Sequence, residues 1–479
     1  MNVLFVYTLA DASFPPVKPL NSWAKIQLGI SYISSCLKQA GHRTMLVVPR
    51  RRRFQNDVQR VFQMFSPDLI CFTAVSTEYS FVEKVAQFIR EKAPEAYLVV
   101  GGPHASLQPE VVSTGPFDAV CIGEGEYPMV ELASVLQEKK QPSGIPNLWI
   151  KRNHSIEKND SRDFIQNLDE LPFPDREIWR PWVEHDSLHT ILLGRGCPHN
   201  CTYCCNHMLR KLSKGQYVRF RSPSNVIQEM GCVSESFPDL SGMYFEVETI
   251  TANQKWAFEF CERLEEFNAF RKNKIGFGTN VRVIPNRSLR PLFKAFSRAG
   301  FSYINLGIES GSERVRSKVL KRADSNEDLI RTCDEARESG LSINAYNMIG
   351  LPGETPQDFR ETLEINRRCL PDNNYLSIFY PYPGTELHRV CLERGLQLKR
   401  EEESLERFRP VLGLSEFPDR KVNHYFRWFD WYVYRGRRSL LKILSHAFFR
   451  TLGAYPRLFR TFRLFTSRGP LAALRRWMR

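Results

Sequence analysis

The stretch GRGCPHNCTYCCNHML, residues 194–209, sets three cysteines on one short loop at the spacing Cys197-x3-Cys201-x2-Cys204. It follows directly on HTILLG (189–194), a short apolar run closed by glycine that reads as a β-strand. The cysteines therefore occupy a strand end. Three thiolates on one loop can ligate three irons of a [4Fe–4S] cube and leave the fourth iron open to a chelating molecule. Structural zinc is the competing reading, with Cys205, His199 or His207 as a fourth ligand. Zinc ribbons bring CxxC motifs in pairs, however, and no second pair occurs in this chain.

Downstream, the strand–helix alternation continues through GMYFEVE, KIGFGTNV, YINLGIES, INAYNMIGLPGE and LSIFYPYPGTE. With HTILLG that makes about six βα units, the content of a partial (β/α)6 barrel of TIM type over 186–400. In such barrels chemistry belongs to the C-terminal strand ends, and the informative residues all fall there. Upstream, NVLFVYT, TMLVVP, DLICFTAV, YLVVGG and AVCIG alternate with helical segments, including one over 81–93. That pattern predicts a Rossmann-like, flavodoxin-like α/β domain over 1–140, with ligands at the carboxyl ends of its strands. Residues 141–185 lack periodicity and are rich in Pro, Asn and Asp, so they read as a linker. Residues 401–479 form a basic, aromatic and mostly helical C-terminal region.

The bulk numbers fit a folded globular protein rather than a disordered or membrane-spanning chain. At 479 residues, two or three domains are expected, and 42% apolar with 25% charged residues is ordinary for a globular protein. No apolar run reaches the roughly 18 residues that a spanning helix needs. The N-terminus MNVLFVYTLA reads as a strand and not as a secretory signal. Twelve cysteines in so long a chain are no disulfide framework, and most sit singly in apolar or helical contexts. A reducing cytoplasm is expected. The net charge of +14 is uneven, since residues 421–479 carry fourteen Lys or Arg and one acid, Asp430, while the other 420 residues sum to about +1.

The cysteine loop resembles the signature of the radical S-adenosylmethionine (SAM) superfamily, CxxxCx(aromatic)C, with Tyr203 in the aromatic place. Residues 217–223, YVRFRSP, look like the Arg-rich segment after that family's first helix. GIESG (307–311), GLPGE (350–354) and YPYPGT (380–385) match its later strand-end motifs. The resemblance implies that Cys197, Cys201 and Cys204 hold a [4Fe–4S] cluster whose open iron is chelated by SAM. It implies SAM contacts from Tyr203, Glu248, Glu309, Ser310, Gly350 and Glu354, and substrate contacts near Tyr380 and Tyr382. An electron donor such as flavodoxin or ferredoxin would feed the cluster, and cleavage of SAM would give a 5′-deoxyadenosyl radical. One departure stands out, because relatives often carry F-x-D-D after the second strand and this chain has Phe245-Glu246-Val247-Glu248. Glu246 and Glu248 would share one face of a strand.

The first domain resembles that of the cobalamin-binding subgroup of the same superfamily, on LGISYI (28–33), TAVS (73–76), GGPH (101–104) and GEGE (123–126). The resemblance implies cobalamin contacts from Thr73, Ser76, Gly101, Gly102, His104, Gly123 and Glu124. The D-x-H-x-x-G motif that gives cobalt a histidine is missing, since the corresponding segment 8–14 reads TLADASF. Many subgroup members bind cobalamin without such a ligand, and His104 is a weak candidate for the role.

Together these features imply C-methylation of an unactivated carbon in a small or lipid-like metabolite, with cobalamin as methyl carrier. Oxidative cyclisation or rearrangement on the same scaffold is the alternative. The tail adds a further expectation. In 440–452 the apolar positions 440, 441, 444, 448 and 452 fall near one helical face, and Arg457, Arg460 and Arg463 follow beside Phe459 and Phe462. Such a helix suits either a cap on the barrel or a membrane surface. A zinc-stabilised nucleic-acid-binding protein is the reading from outside enzymology, with the basic tail gripping a single strand.

Overall fold

The computed structural model describes residues 1–9, 18–20, 22–153, 155–183, 187–269, 271, 274–396, 406–453 and 455. Its contacts divide the chain into two units, one of Met1–His199 with Cys205–Val247, the other of Asn200–Cys204 with Glu248–Arg479.

The first unit is built on a seven-stranded sheet. Its strands are β1 (Asn2–Tyr7), β2 (Arg43–Val47), β3 (Leu69–Thr73), β4 (Tyr97–Gly101), β5 (Ala119–Cys121), β6 (Leu148–Lys151) and β7 (Ile156–Lys158), in the order β2-β1-β3-β4-β5-β6-β7. The first five run parallel, and β6 and β7 add on antiparallel. A strand buried on both faces needs an unbroken apolar run. Thus Val3 and Phe5 of β1 enter one core while Leu4 and Val6 enter the other. Chain order reverses between β1 and β3, and that switch point opens a crevice at their carboxyl ends.

The stretch expected to be a linker behaves differently. It supplies the β6–β7 hairpin, and Phe164, Ile165, Leu168, Leu171 and Trp179 are all buried. The indole of Trp179 donates to the hydroxyl of Ser31 at 2.8 Å. Its apolar residues are spaced irregularly because they anchor a loop to a surface, so no period reveals them. The helix expected over 81–93 runs Tyr79–Lys92.

Six further strands carry the second series. β8 (Leu188–Leu192) and β11 (Gly242–Glu246) pair in parallel within the first unit, beside a two-stranded ribbon of β9 (Gly194–Arg195) and β10 (Arg219–Phe220). The second unit holds β12 (Gly276–Val281), β13 (Phe301–Glu309), β14 (Ser342–Ile349) and β15 (Asn373–Ile378), all parallel and in chain order. Helices Gln254–Ala269, Arg290–Ala299, Asn326–Glu338 and Pro356–Cys369 alternate with them. Two of these helices open with reciprocal capping boxes, Ser325 with Asp328 and Thr355 with Asp358. Glu248 lies beyond β11, which stops at Glu246, so the two carboxylates do not share one strand face. Val247 dives into the core there and turns the chain out of the strand.

The C-terminal region is helical. Helix Asp419–Tyr434 buries Val422, Phe426, Phe429 and Val433 against Phe359 and Leu363, and the Tyr434 hydroxyl donates to the carbonyl of Pro371 at 2.8 Å. Arg450 pairs with buried Asp430 at 2.8 Å. Helix Leu440–Gly453 turns Ile443, Ala447 and Leu452 inward and leaves Leu440, Leu441, Leu444 and Phe448 exposed. Arg457, Phe459, Arg460, Phe462 and Arg463 lie outside the described residues. No helix among the described residues is long and apolar enough to cross a membrane.

Because Phe429 is wholly buried in the core of the second unit, Phe429→Ala should destabilise the protein by about 3–5 kcal/mol. The denaturant midpoint reads this out. A change within about 0.5 kcal/mol, as at surface positions, would show that this helix is not part of that core.

Candidate active site

At the carboxyl ends of β1, β3 and β4 the first unit contains a cavity of about 530 Å³. Tyr7, Thr73, Gly101, Gly102, Gly123 and Glu124 are on its wall, together with Met129 and Cys121. The glycines are there for space. Gly102 has φ +89°, and a Cβ on it would stand 2.7 Å from Thr73 Oγ1 and 2.9 Å from the Ala74 nitrogen. Ser76 and His104 are not among the lining residues. His104 Nδ1 instead lies 3.1 Å from the Ser76 hydroxyl, and its ring stacks on Tyr79 at 4.3 Å. Burial lowers its pKa to about 4, so the ring is neutral at neutral pH.

A buried ion network missed by sequence reasoning forms one side of this cavity. Arg195 reaches Glu124 at 2.8 Å and Glu126 at 2.6 Å, while Arg219 reaches the other oxygen of Glu124 at 3.0 Å. Arg195 also lies over the Tyr32 ring at 5.3 Å. Burial alone would raise Glu124, but Arg195 and Arg219 overrule it and hold the carboxyl below its usual range. Arg195 loses to burial and regains more from Glu126 and Glu124, so its pKa is raised. Partners 69 to 95 residues apart leave no local signal in the sequence.

The same arginine opens the cysteine loop. Arg195 pairs with Arg219 across the β9–β10 ribbon, two residues before Cys197. At Gly196, φ +86°, a Cβ would come within 2.1 Å of the Tyr217 carbonyl. Cys197, half-buried, belongs to the first unit, whereas Cys201 and Cys204 belong to the second.

In the second unit the Cys201–Cys204 segment is held tightly. The Cys204 nitrogen donates to the Cys201 carbonyl at 3.1 Å, and the Thr202 hydroxyl donates to the Val319 carbonyl at 2.7 Å. Arg282, beyond β12, donates to Cys201 Sγ at 2.8 Å. Tyr203 hydrogen-bonds to Glu309, the last residue of β13, which holds φ +66°. Burial raises the Glu309 pKa against the pull of Arg322, which stands 3.5 Å away and itself pairs with Asp324 at 3.2 Å. Cys201, Tyr203 and Glu309 thus meet in one alternating charge cluster whose cations, Arg282 and Arg322, sequence reasoning missed.

The other expected contacts are used differently. Ser310 is buried in its own turn, accepting from the Ser312 nitrogen at 3.2 Å. Glu354 is fully buried and accepts from the nitrogens of Gly350 and Leu351 at 2.7 and 3.1 Å, which closes the Gly350–Glu354 turn. With no cation paired to it among the described residues, burial pushes its carboxyl up to about 8. Glu248 is exposed. Tyr380 and Tyr382 lie 5.2 Å apart, and the Tyr382 hydroxyl donates to Glu406.

Comparison with known proteins bears on this arrangement. The family model of the radical SAM superfamily matches residues 191–365, and that of the B12 binding domain matches residues 26–133. An uncharacterized methyltransferase of Pyrococcus horikoshii is 26% identical over 408 residues, covering 84% of this chain and 86% of the relative. The anaerobic magnesium-protoporphyrin IX monomethyl ester cyclase of Rubrivivax gelatinosus is 24% identical over 376 residues, covering 75% of this chain and 65% of the cyclase. Among solved structures, the radical SAM methyltransferase TsrM of Kitasatospora setae, with cobalamin and a [4Fe–4S] cluster bound, aligns at a TM-score of 0.65. That alignment covers 82% of this chain and 75% of TsrM at 18% identity, a likeness of fold. The first model takes in the cysteine loop and the second takes in the glycine-lined cavity loops. This chain is a radical SAM enzyme with a B12-binding domain ahead of its radical SAM domain.

Proposed function

We propose that the chain holds a [4Fe–4S] cluster on Cys197, Cys201 and Cys204, with SAM and cobalamin, and methylates an unactivated carbon of a small molecule. The observation that carries this reading is the double ion pair of Arg195 with Glu124 and Glu126. It ties Arg195, two residues before Cys197, to the wall of the cavity within the first unit. The glycine rim of the cavity lets a bulky cofactor approach the backbone closely. No histidine among the described residues lines it, which fits cobalamin held without a protein ligand to cobalt. Thr73, Gly101, Gly102, Gly123 and Glu124 would hold it, while Ser76 and His104 brace each other behind the wall. The thiol set suits a three-cysteine cluster, and the Arg282 guanidinium donates to Cys201 Sγ.

When bound, these groups supply one-electron cleavage of SAM and a transferable methyl group. The chain's own residues do the positioning. Tyr203 and Glu309, hydrogen-bonded to each other, would meet the polar parts of SAM, and Glu248, exposed beyond β11, would meet its amine. Gly350 admits the nucleoside at a turn that Glu354 holds shut. A flavodoxin or ferredoxin is the reductant that fits this chemistry. The likeness to the anaerobic cyclase supports ring formation as the second reading. The exposed leucines of helix Leu440–Gly453 favour contact of this region with a membrane surface, and with it a lipid-like substrate.

Anaerobic reconstitution tests the proposal. Brown protein with about four irons is expected, and SAM with reductant should yield S-adenosylhomocysteine beside 5′-deoxyadenosine. 5′-Deoxyadenosine alone would favour the cyclase reading, and iron-free protein would sink both. Cys201→Ala should lose nearly all iron and all SAM scission, and retention of either would remove Cys201 from the cluster. A separate test concerns Glu354. Its native pKa of about 8 lies above the unfolded carboxyl value, so the neutral acid's stabilisation is complete at low pH and falls as pH rises toward 8. Glu354→Gln should flatten this decline in denaturant midpoints between pH 5 and pH 8. An unchanged slope would mean that Glu354 is ionised in the folded protein.

A further inference from the structure

Helix Leu28–Gln39 turns one stripe, Leu28, Tyr32 and Cys36, toward the interior of the first unit. Leu28 and Tyr32 are on the wall of that unit's cavity. Tyr32 is 2% exposed, and its hydroxyl has no hydrogen-bond partner among the described residues. No other described side chain of this wall holds a buried polar atom in that condition. The ring is held in place, with the Arg195 guanidinium over it at 5.3 Å. A phenylalanine would pack there equally well, so the hydroxyl is surplus to the fold. Glu229, the acid whose charge acts on it, is engaged elsewhere, with one oxygen on Arg176 at 2.8 Å and the other on Arg221. An unmet hydroxyl has lost its hydration and gained nothing in return. Such groups are few in folded proteins, and one on a cavity wall calls for a partner that enters the cavity.

The surroundings define that partner. Burial, with the charge of Glu229, raises the Tyr32 pKa well above the usual phenol value against the pull of nearby arginines, so the group stays a donor. Its partner is therefore an acceptor. The charged residues on the wall are three acids, Glu124, Glu126 and Glu246, and one cation, Arg195, a balance that disfavours an anion. A neutral carbonyl oxygen meets both demands. Cobalamin carries such oxygens on the carboxamides that fringe its corrin ring. We propose that Tyr32 is a cofactor-binding residue of this cavity, its hydroxyl donating to a carboxamide carbonyl on the corrin edge. The proposal rests on the cobalamin reading of the cavity and deepens it. The contact recognises the periphery of the ring and leaves the ligation of cobalt untouched.

The test titrates full-length, cofactor-free protein with hydroxocobalamin, followed by equilibrium dialysis and by the absorption spectrum of the bound cofactor. Tyr32→Phe should bind about tenfold more weakly than wild type, with an unchanged bound spectrum. Its denaturant midpoint without cofactor should equal or exceed that of wild type, because the phenyl ring gives up no bond. Cobinamide keeps the carboxamides and lacks the nucleotide with its phosphate, so it should show the same ratio between the two proteins. Equal affinities of wild type and Tyr32→Phe would overturn the proposal. A lower midpoint for Tyr32→Phe would do the same, by showing the hydroxyl already engaged, through water, in the cofactor-free chain. A changed spectrum would move the hydroxyl to cobalt, and a loss confined to hydroxocobalamin would move it to the phosphate; either result overturns the carboxamide contact. Wild-type protein that fails to bind hydroxocobalamin removes the cobalamin reading and this contact with it. Binding by wild type that Tyr32→Phe leaves intact removes the contact alone.

Discussion

Four charges, Glu126 and Arg219 buried and Glu124 and Arg195 mostly so, fix the part of this protein on which the rest depends. Taking an ion out of water costs several kcal/mol even after relaxation, so such groups persist only with partners in good geometry. Here each carboxylate is met by a guanidinium at 2.6 to 3.0 Å, and Glu124 divides its two oxygens between two arginines. Such a network has one favourable arrangement. It holds the residue that opens the cysteine loop against the wall of the first unit's cavity, and the glycines on either side of Arg195 exist because the ribbon strands approach too closely for a Cβ. The position of Arg195 is thereby a consequence of electrostatics, with the backbone shaped to permit it.

The second unit applies the same rule around Cys201. Arg282 donates to Cys201 Sγ, and Arg322 stands between Glu309 and Asp324, each contact within 3.5 Å. An arrangement of this kind is already in place in the folded state, so a polar ligand meets dipoles and charges that need not reorganise. Glu354 illustrates the outcome where the alternation fails. Buried with two backbone amides and no paired cation among the described residues, it is driven toward the neutral acid and serves its own turn.

Much of this was legible in the sequence, for reasons that separate cleanly. Strands of the first sheet announce themselves because both faces are buried, so that NVLFVY and LICFT are apolar without interruption. The cysteines were legible because spacing within one loop is local information. The ion network was not, because its members come from segments far apart in sequence and arginines are common on any surface. Residues 141–185 concealed a hairpin and a buried Trp179, since residues that anchor a loop match the shape of the surface they cover and have no period. Ser310 and Glu354 sit in motifs that point to a ligand, yet composition cannot tell a side chain aimed outward from one that caps its own turn.

The basic tail shows the same limit from the other side. Its sequence offers one amphipathic description, and both a barrel cap and a surface-seeking helix satisfy it. The fold divides the residues between the two roles. Helix Asp419–Tyr434 commits its aromatics to the core, and Arg450 and Arg438 are engaged by Asp430 and by the Pro371 carbonyl. Helix Leu440–Gly453 has only enough neighbouring surface to cover Ile443, Ala447 and Leu452, and the leucines on its other side stay in water. Covered and exposed residues share the same turns and differ only in the side of the helix they take. The apolar content of this tail therefore reflects two demands, and only the exposed part is available to anything outside the chain.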